Sequence, residues 1–386
     1  MPRRRTVLAA GLIAISLPVL SAPAIGLASC HPWPAWEAFA ATFVAGSGRL
    51  IDPSATDGRT TSEGQAYALF FSLVANDRSR FEQILRWTED NLAEGNLSAR
   101  LPAWLWGKRT ANDWRVIDAN PAADADLWIA YVLQEAGRLW QAPHYTRLGQ
   151  QVADRILREE TVVLDGLGRL MLPAPQGFAR EAGGALFNPS YVPLQVLRRL
   201  ATGSTSDSAR TQWAEQQATT LRLILDSAPR GFVPDWSVYS VAGGFVGATS
   251  NEAATGSFNA IRTYLWAGML APDTPGRAAL LRGLRPMAAA TVKAGVPPER
   301  VDVRSAVLQG SGDLGFSAAL LPLIDALYGP RAAAVQRERI RAGDPFSRSD
   351  NYYEQALTMF GLGWADRHYR FAPDGMLQVR WTCSAR

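Results

Sequence analysis

The sequence is poor in the residues from which metal sites and dense disulfide frameworks are built. Its 386 residues include only two cysteines and three histidines. His31, His144 and His368 stand far apart, and no two of them have the spacing of metal ligands on one helix. No glycine-rich phosphate loop follows a predicted strand. The sequence therefore gives no indication of a metal or an organic cofactor.

Charged residues are also scarce, and the two signs nearly balance. Charged side chains make up 19% of the chain, whose formal net charge is +4. Three arginines, at positions 3–5, belong to a segment that we expect to be removed. The absence of a basic patch or a lysine-rich tail argues against nucleic acid as a partner. What the chain has instead is 13 tryptophans and 10 tyrosines, whose rings can stack on sugars or fill a core.

The first 28 residues have the pattern of a secretory signal. Basic residues come first, an apolar run follows over positions 7–20, and small residues lead to Ala28. The apolar run is too short for a comfortable membrane span. We predict a signal peptide over residues 1–28 and a periplasmic or secreted protein. A lipoprotein box ending at Cys30 and a twin-arginine signal at Arg4 and Arg5 are less favoured alternatives.

One cysteine lies near each end of the remaining chain, at Cys30 and Cys383. In an exported protein an even number of cysteines favours a disulfide. The pair would then join the two termini. Two unpaired thiols are the alternative.

Helical periodicity dominates residues 29–386, which we predict to form a single domain. Especially apolar helices recur about every 60 residues and alternate with more polar ones, a repetition typical of stacked helical hairpins. This alternation predicts an all-α protein, an (α/α)6 barrel whose cleft lies at the N-terminal ends of the inner helices. The predicted helices span 33–44, 62–75, 80–92, 124–140, 143–158, 189–200, 210–226, 257–270, 277–294, 315–328, 332–342 and 351–364.

Strand-like alternation is rare. Residues 161–172 are the best candidate for a short hairpin. The LPAWLWG stretch at 101–107 is predicted to be a loop over the cleft, in which Trp104 and Trp106 bind substrate.

Two consecutive inner helices begin with acidic residues. Glu63 follows Ser62, the predicted N-cap, and Asp124 lies in the first turn of the next inner helix. Either acid could serve only to cap a helix or to complement its dipole. In the barrel, however, both would lie at the same rim. Paired carboxyls in an aromatic cleft are the groups that hydrolyse glycosides.

Several short motifs, in order along nearly the whole chain, resemble glycoside hydrolase family 8. The resemblance is greatest to the branch that accompanies bacterial cellulose synthase complexes. The motifs are CHPWPAW (30–36), TSEGQ (61–65), LPAWLWG (101–107), ADADLW (123–128), NPSY (188–191), AIR (260–262), GFSAA (315–319) and the closing cysteine.

The resemblance implies an (α/α)6 barrel that cuts β-1,4-linked glycans with inversion and without a cofactor. It implies that Glu63 is the general acid and that Asp124 is a second active-site carboxylate. Tyr191 and Arg262 match residues that line the same subsite. It also implies β-1,4-glucan as the substrate and a cellulose synthase complex as a partner, and it gives no role to nucleic acid.

One position departs from the cellulase pattern of this family. Its general base is an aspartate three residues before the arginine, and here that residue is Asn259. An amide cannot take a proton from water at neutral pH. Asp124, Asp235 and Glu252 are the alternative bases.

We therefore expect an exported endo-β-1,4-glucanase. A catalytically weakened glucan-binding accessory protein is one alternative. An enzyme acting on chitosan, xylan or mixed-linkage glucan is another.

Overall fold

The computed structural model describes residues 33–110, 113–180, 183–246, 254–348 and 350–381. The predicted signal peptide lies outside the described residues, as do Cys30, Cys383 and Glu252.

Six helices form the inner layer, and most of them are buried on nearly every side. Such helices are apolar around most of their circumference, because no face of them meets water. The second of them, for example, buries its first fifteen residues in a row. The inner helices are α2 (Ser62–Val74), α4 (Ala123–Leu139), α6 (Leu194–Gly203), α8 (Ala260–Met269), α10 (Leu314–Tyr328) and α13 (Tyr352–Ala365).

Six further helices surround this layer and bury only one face. In the helix Pro330–Gly343, for example, the buried positions are Ala333, Gln336 and Ile340, which fall on one side at helical spacing. Within the described residues no helix is long and apolar enough to cross a membrane. The outer helices are α1 (Pro34–Phe43), α3 (Arg78–Leu92), α5 (Pro143–Glu159), α7 (Asp207–Asp226), α9 (Arg277–Ala294) and α11 (Pro330–Gly343), and a short α12 (Pro345–Arg348) precedes α13.

The inner helices pack in chain order, and an aromatic cluster closes the ring. Phe360 on α13 is fully buried. Its ring lies 4.7 Å from that of Phe71 on α2, 5.5 Å from Trp128 on α4 and 5.1 Å from Trp266 on α8. The last inner helix thus contacts the first one at the centre of the barrel. The predicted (α/α)6 barrel is confirmed.

Two glycines allow the inner helices to approach closely. A Cβ atom on Gly361 of α13 would lie 2.1 Å from the carbonyl oxygen of Ala318 on α10, and one on Gly268 of α8 would lie 2.3 Å from the backbone nitrogen of Leu323. Any side chain at these positions would push the helices apart. α10 therefore lies between two neighbours that each meet it through a glycine.

Antiparallel strands of two to nine residues connect the helices, so the predicted scarcity of strands is wrong. The hairpin expected over 161–172 is present as β4 and β5. The strands are β1 (Thr60–Thr61), β2 (Ala103–Thr110), β3 (Asp113–Pro121), β4 (Thr161–Leu164), β5 (Gly168–Met171), β6 (Ala185–Phe187), β7 (Ser237–Ser240), β8 (Gly244–Val246), β9 (Thr255–Gly256), β10 (Arg300–Asp302), β11 (Val307–Gln309), β12 (Tyr369–Phe371) and β13 (Leu377–Val379).

The stretch 101–107 was predicted to be a loop, but its residues 103–107 form the beginning of strand β2. β2 pairs with β1 on one side and β3 on the other, and its register with β3 shifts at three places. β1 leads directly into α2 and β3 into α4. This sheet therefore fixes where the two inner helices that carry the predicted acids begin.

Two helices begin three or more residues later than predicted. The helix expected over 189–200 is interrupted: Pro189–Tyr191 forms a single 3-10 turn, and α6 begins only after Pro193, whose nitrogen has no proton to donate. The helix expected over 257–270 begins at Ala260, so that Asn259 is its N-cap residue rather than an interior one.

Candidate active site

The guanidinium group of Arg262 joins four side chains at the N-terminal ends of the inner helices. Arg262 lies in the first turn of α8, and its side chain is buried. Nη1 donates hydrogen bonds to Glu63, to Oδ2 of Asp124 at 2.9 Å and to Oη of Tyr67 at 3.0 Å. Nη2 donates to Oδ1 of Asn259 at 2.9 Å. The structure thus brings together Glu63, Asp124, Asn259 and Arg262, all four predicted from the sequence.

Glu63 is held at the start of α2 by the residues just before it. Thr61, and not Ser62 as predicted, is the N-cap, because its hydroxyl accepts the backbone N–H of Gly64 at 3.1 Å. Glu63 is therefore the second helical residue. Its side chain is 22% exposed, compared with 4% for Asp124. Of the two acids, Glu63 is the one that a ligand in the cleft can reach.

Asp124 does not cap α4, so the capping interpretation is wrong. Ala122 is the N-cap and offers no side-chain hydrogen bond. The Asp124 carboxylate accepts the N–H of Ala125 at 2.9 Å and points to Arg262. Burial, followed by the negative charge of Glu63, raises its pKa to about 7, although Arg262 acts in the opposite direction. The acid is therefore poised to exchange a proton near neutral pH.

Glu63 and Asp124 lie too close together to act on opposite sides of a water molecule. Both accept from the same nitrogen of Arg262, and their carboxyl groups are within hydrogen-bonding reach of each other. In inverting glycosidases the acid and the base stand about 6.5–9.5 Å apart. This geometry argues against Asp124 as the base in an inverting reaction with Glu63.

The Asp235 carboxylate binds the backbone at the beginning of α8. Its Oδ1 accepts three backbone N–H groups, those of Ser257 at 2.9 Å, Asn259 at 3.1 Å and Ala260 at 2.7 Å. It therefore supplies the cap that Asn259 does not provide with its own side chain. Burial raises the pKa of Asp235, and the three N–H groups oppose that change. Asp235 thus stabilises the start of α8, the helix turn that carries Asn259 and Arg262.

Two tyrosine rings lie close to the guanidinium group of Arg262. Tyr191, predicted from the sequence, ends the 3-10 turn, and the centre of its ring is 5.4 Å from Cζ of Arg262. The ring centre of Tyr353 is 5.9 Å from the same atom, and its hydroxyl donates to the carbonyl oxygen of Phe258. Such cation–π contacts add to the hydrogen bonds that fix an arginine.

Sequence reasoning missed Tyr67 and Tyr353. Both could have been found from the predicted barrel. Tyr67 follows Glu63 by four residues, one helical turn further into α2. Tyr353 lies in the first turn of the last inner helix, at the end where the other site residues were expected.

The two predicted tryptophans lie on strand β2, and both are half-buried. Trp106 contacts the edge of Trp87 on α3 at 5.4 Å and stacks on Trp114 of β3 at 5.3 Å. Cζ of Arg49 lies 4.3 Å from its ring centre. These partners hold Trp106 within the sheet and against an outer helix. A role for Trp104 and Trp106 in binding substrate stays a prediction.

A second aromatic group lies beside Tyr191. The Trp236 ring is 6.2 Å from Tyr191 and stacks on Phe178 at 5.8 Å, with 13° between the ring planes. Tyr191, Trp236 and Phe178 thus form a continuous group of aromatic rings. In the described part of the chain no cluster of histidine, cysteine and acidic residues could hold a metal ion.

Comparison with known proteins agrees with this arrangement. The family described as glycosyl hydrolases family 8 matches residues 13–367. The chain belongs to this family. The predicted family is confirmed.

Proteins named as endoglucanases resemble this chain over most of their length. A protein named endoglucanase from Salmonella typhi is 45% identical over 358 residues, which cover 93% of this chain and 94% of that protein. An endoglucanase from Xanthomonas axonopodis pv. citri is 44% identical over 99% of this chain and 98% of its own. The crystal structure of an endo-1,4-D-glucanase from Vibrio fischeri has a TM-score of 0.86 and 42% identity, and covers 91% of this chain and all of its own.

Proposed function

We propose that this family 8 glycosidase is an endo-β-1,4-glucanase in which Glu63 protonates the leaving oxygen. The relatives named endoglucanase, which align with nearly the whole chain, support the reaction class. The observation that supports the role of Glu63 is its partial exposure beside a buried second acid, with both acids held by Arg262.

The pair of acids can supply a proton at neutral pH. Asp124 has a pKa raised to about 7, and it lies within hydrogen-bonding reach of Glu63. Asp124 therefore holds a proton under conditions in which isolated carboxyls are ionised, and it can pass this proton to Glu63. From Glu63 that proton passes to the glycosidic oxygen as the bond from this oxygen to the anomeric carbon breaks. Asp124 and Arg262 keep the Glu63 carboxyl in position.

Hydrolysis with inversion also requires a water molecule to attack the anomeric carbon from the opposite face and to lose a proton. Asn259 can hold that water, since its amide both donates and accepts, but it cannot take the proton. Asp124 lies on the side of the acid, and Asp235 holds three backbone N–H groups. We therefore propose that removal of the water's proton limits turnover in this enzyme.

Carboxymethyl cellulose tests the proposed function. Internal cutting lowers the viscosity of the polymer much faster than it creates reducing ends, whereas release of sugars from a chain end does the opposite. The same assay on xylan, chitosan and mixed-linkage glucan defines the polymer. A rapid fall in viscosity only with β-1,4-glucan supports the proposal, and no cleavage of any of the four would overturn it.

We further propose that the enzyme works in the periplasm or outside the cell, beside a cellulose-synthesising complex. The signal-like residues 1–28 and the resemblance to the cellulose-complex branch support this place of action. Cell fractionation followed by cross-linking to the synthase tests both parts. A cytoplasmic protein, or one that never cross-links to the synthase, would contradict the respective part.

A further inference from the structure

A second pair of buried acids lies behind the active site. Asp126 follows Asp124 by two residues on α4, and Glu160 directly follows the last residue of α5. Both side chains are fully buried. Their carboxyl groups are within hydrogen-bonding reach of each other. Within the described residues, no hydrogen-bond donor reaches any of the four oxygen atoms.

Two carboxylates in such a place cannot both be ionised. Removing two like charges from water without a donor or a cation costs more than binding a proton. The other charged groups that act on the pair are Asp124 of α4 and Glu159 of α5, which are acidic too. A proton on one carboxyl turns the contact into a short, charge-assisted hydrogen bond. Burial accordingly raises the pKa of both groups well above the usual range.

Backbone hydrogen bonds also connect Glu160, through residues 172 and 173, to the beginning of α4. The carbonyl oxygen of Glu160 accepts the N–H of Leu172 at 2.8 Å. The residue after Leu172 is Pro173, whose carbonyl oxygen accepts the N–H of Ala123 at 3.0 Å. Ala122, the N-cap of α4, contributes no side-chain bond. The Asp126–Glu160 contact therefore closes a ring of interactions around the first turn of α4, the turn that carries Asp124.

We propose that Asp126 and Glu160 are positioning residues, whose acid–carboxylate hydrogen bond with a single shared proton holds Asp124 against Arg262. The claim that this affects catalysis rests on the proposed function. The shared proton itself can be measured without any substrate.

Three variants and one control separate positioning from mere structural support. Asp126→Ala removes the hydrogen bond. Asp126→Asn and Glu160→Gln keep it, because the amide donates to the remaining carboxylate, but they remove the shared proton. Glu159→Gln is the control, since it neutralises the adjacent acid, which is exposed and paired with Arg155.

In kinetics we expect Asp126→Ala to lower kcat about 10²-fold, the loss typical of a displacement of about 1 Å, with a much smaller change in KM. Asp126→Asn should recover most of that loss, and Glu159→Gln should match the wild type. A folded Asp126→Ala enzyme with normal kcat would overturn the positioning role. So would an Asp126→Asn enzyme that is as slow as the alanine variant.

In urea unfolding the wild type should lose stability as the pH rises from 5 to 9. The folded pair has a raised pKa and binds a proton that the unfolded chain has already released. Asp126→Asn and Glu160→Gln should show a flatter pH dependence, and Glu159→Gln should follow the wild type. Parallel curves for all four proteins would overturn the shared proton. These unfolding curves test the shared proton even if Asp126→Ala does not fold. They also test it if the wild type cleaves no glucan, because that result would contradict only the proposed function.

Discussion

Nη2 of Arg262 donates a 2.9 Å hydrogen bond to the side-chain oxygen of Asn259. The same guanidinium group binds Glu63 and Asp124 through Nη1. With an amide at position 259, the single cation balances two acids. An aspartate there would make a third acid in contact with one arginine. The residue at position 259 therefore sets how many acids Arg262 must balance in this site.

Replacing Asn259 by aspartate should raise kcat on carboxymethyl cellulose by about 10²–10⁴-fold, the usual contribution of a positioned base. The new carboxylate would accept the same hydrogen bond from Arg262 and could also take the proton of the attacking water. Substrate affinity should change little. Initial rates of reducing-sugar release at several substrate concentrations provide the measurement.

Glu252→Gln and Asp235→Asn are the companions to this variant. If the enzyme has recruited a base from elsewhere, Asn259→Asp should leave kcat unchanged or lower it, because a third negative charge lies beside two acids. One of the two companion variants should then be inactive. That pattern would contradict a rate limited at Asn259.

Glu63→Gln should abolish cleavage of unactivated glucan and leave the fold intact. The amide has no proton to give to the leaving oxygen, whereas loss of a favourable helix-dipole contact alone would cost less than about 1 kcal/mol. Calorimetric titration with a β-1,4-linked oligosaccharide should still show binding. Turnover at the wild-type rate by a well-folded Glu63→Gln protein would remove Glu63 from the mechanism.

The free energy of unfolding of Asp124→Asn should rise relative to that of the wild type as the pH rises from about 4 to about 7. Burial and Glu63 raise the pKa of Asp124 in the folded protein to about 7, while the unfolded chain titrates near 4. In this range the folded wild type holds a proton that the unfolded chain releases, so its stability falls with pH by up to about 1.4 kcal/mol per pH unit. The asparagine variant lacks this group.

Urea unfolding of both proteins at pH 4, 5.5 and 7 measures the difference. Two parallel dependences on pH would show that Asp124 is not a perturbed acid. Asp124→Asn should also lose activity, since it weakens the site around Glu63.

Phe360→Ala should destabilise the fold by about 3–5 kcal/mol, the usual cost of deleting a buried aromatic ring. The ring contacts three other inner helices within 6 Å, so the cavity would lie where the barrel closes. Denaturant midpoints at constant m-value give the change. Val335→Ala, at an exposed position on α11, should stay within about 0.5 kcal/mol of the wild type. A loss below 1 kcal/mol for Phe360→Ala would contradict the central role of this cluster.

Cys30 and Cys383 should form a disulfide in the exported protein. A link that closes so long a loop stabilises by about 2–4 kcal/mol, chiefly by restricting the unfolded chain. Mass spectrometry of a non-reduced digest should detect the linked peptides, and reduction should lower the thermal midpoint. A lipidated Cys30 would contradict both the disulfide and a freely dissolved protein.

The barrel could be predicted because the pattern that specifies it, an apolar helix followed by a more polar one, is local and recurs along the chain. The apolar character of Asp124–Trp140 on nearly all sides excludes a surface helix, and alternation with more polar helices leaves few other arrangements. Where helices begin was harder to predict. Thr61 rather than Ser62 caps α2. α4 has no side-chain cap, because the carbonyl oxygen of Pro173, from a distant segment, accepts the N–H of Ala123 instead.

Glu63 and Asp124 could be selected from the sequence because they lie in the first turns of two consecutive inner helices, whereas their roles came from the family resemblance. What only the tertiary structure decided is which side chains they contact. The hydrogen bonds from Arg262 to Glu63 and Asp124 span 199 and 138 residues. The support of Asn259 by Asp235, and the pairing of Asp126 with Glu160, likewise join separate elements. No local pattern encodes such contacts, because they exist only once the ring of inner helices has closed.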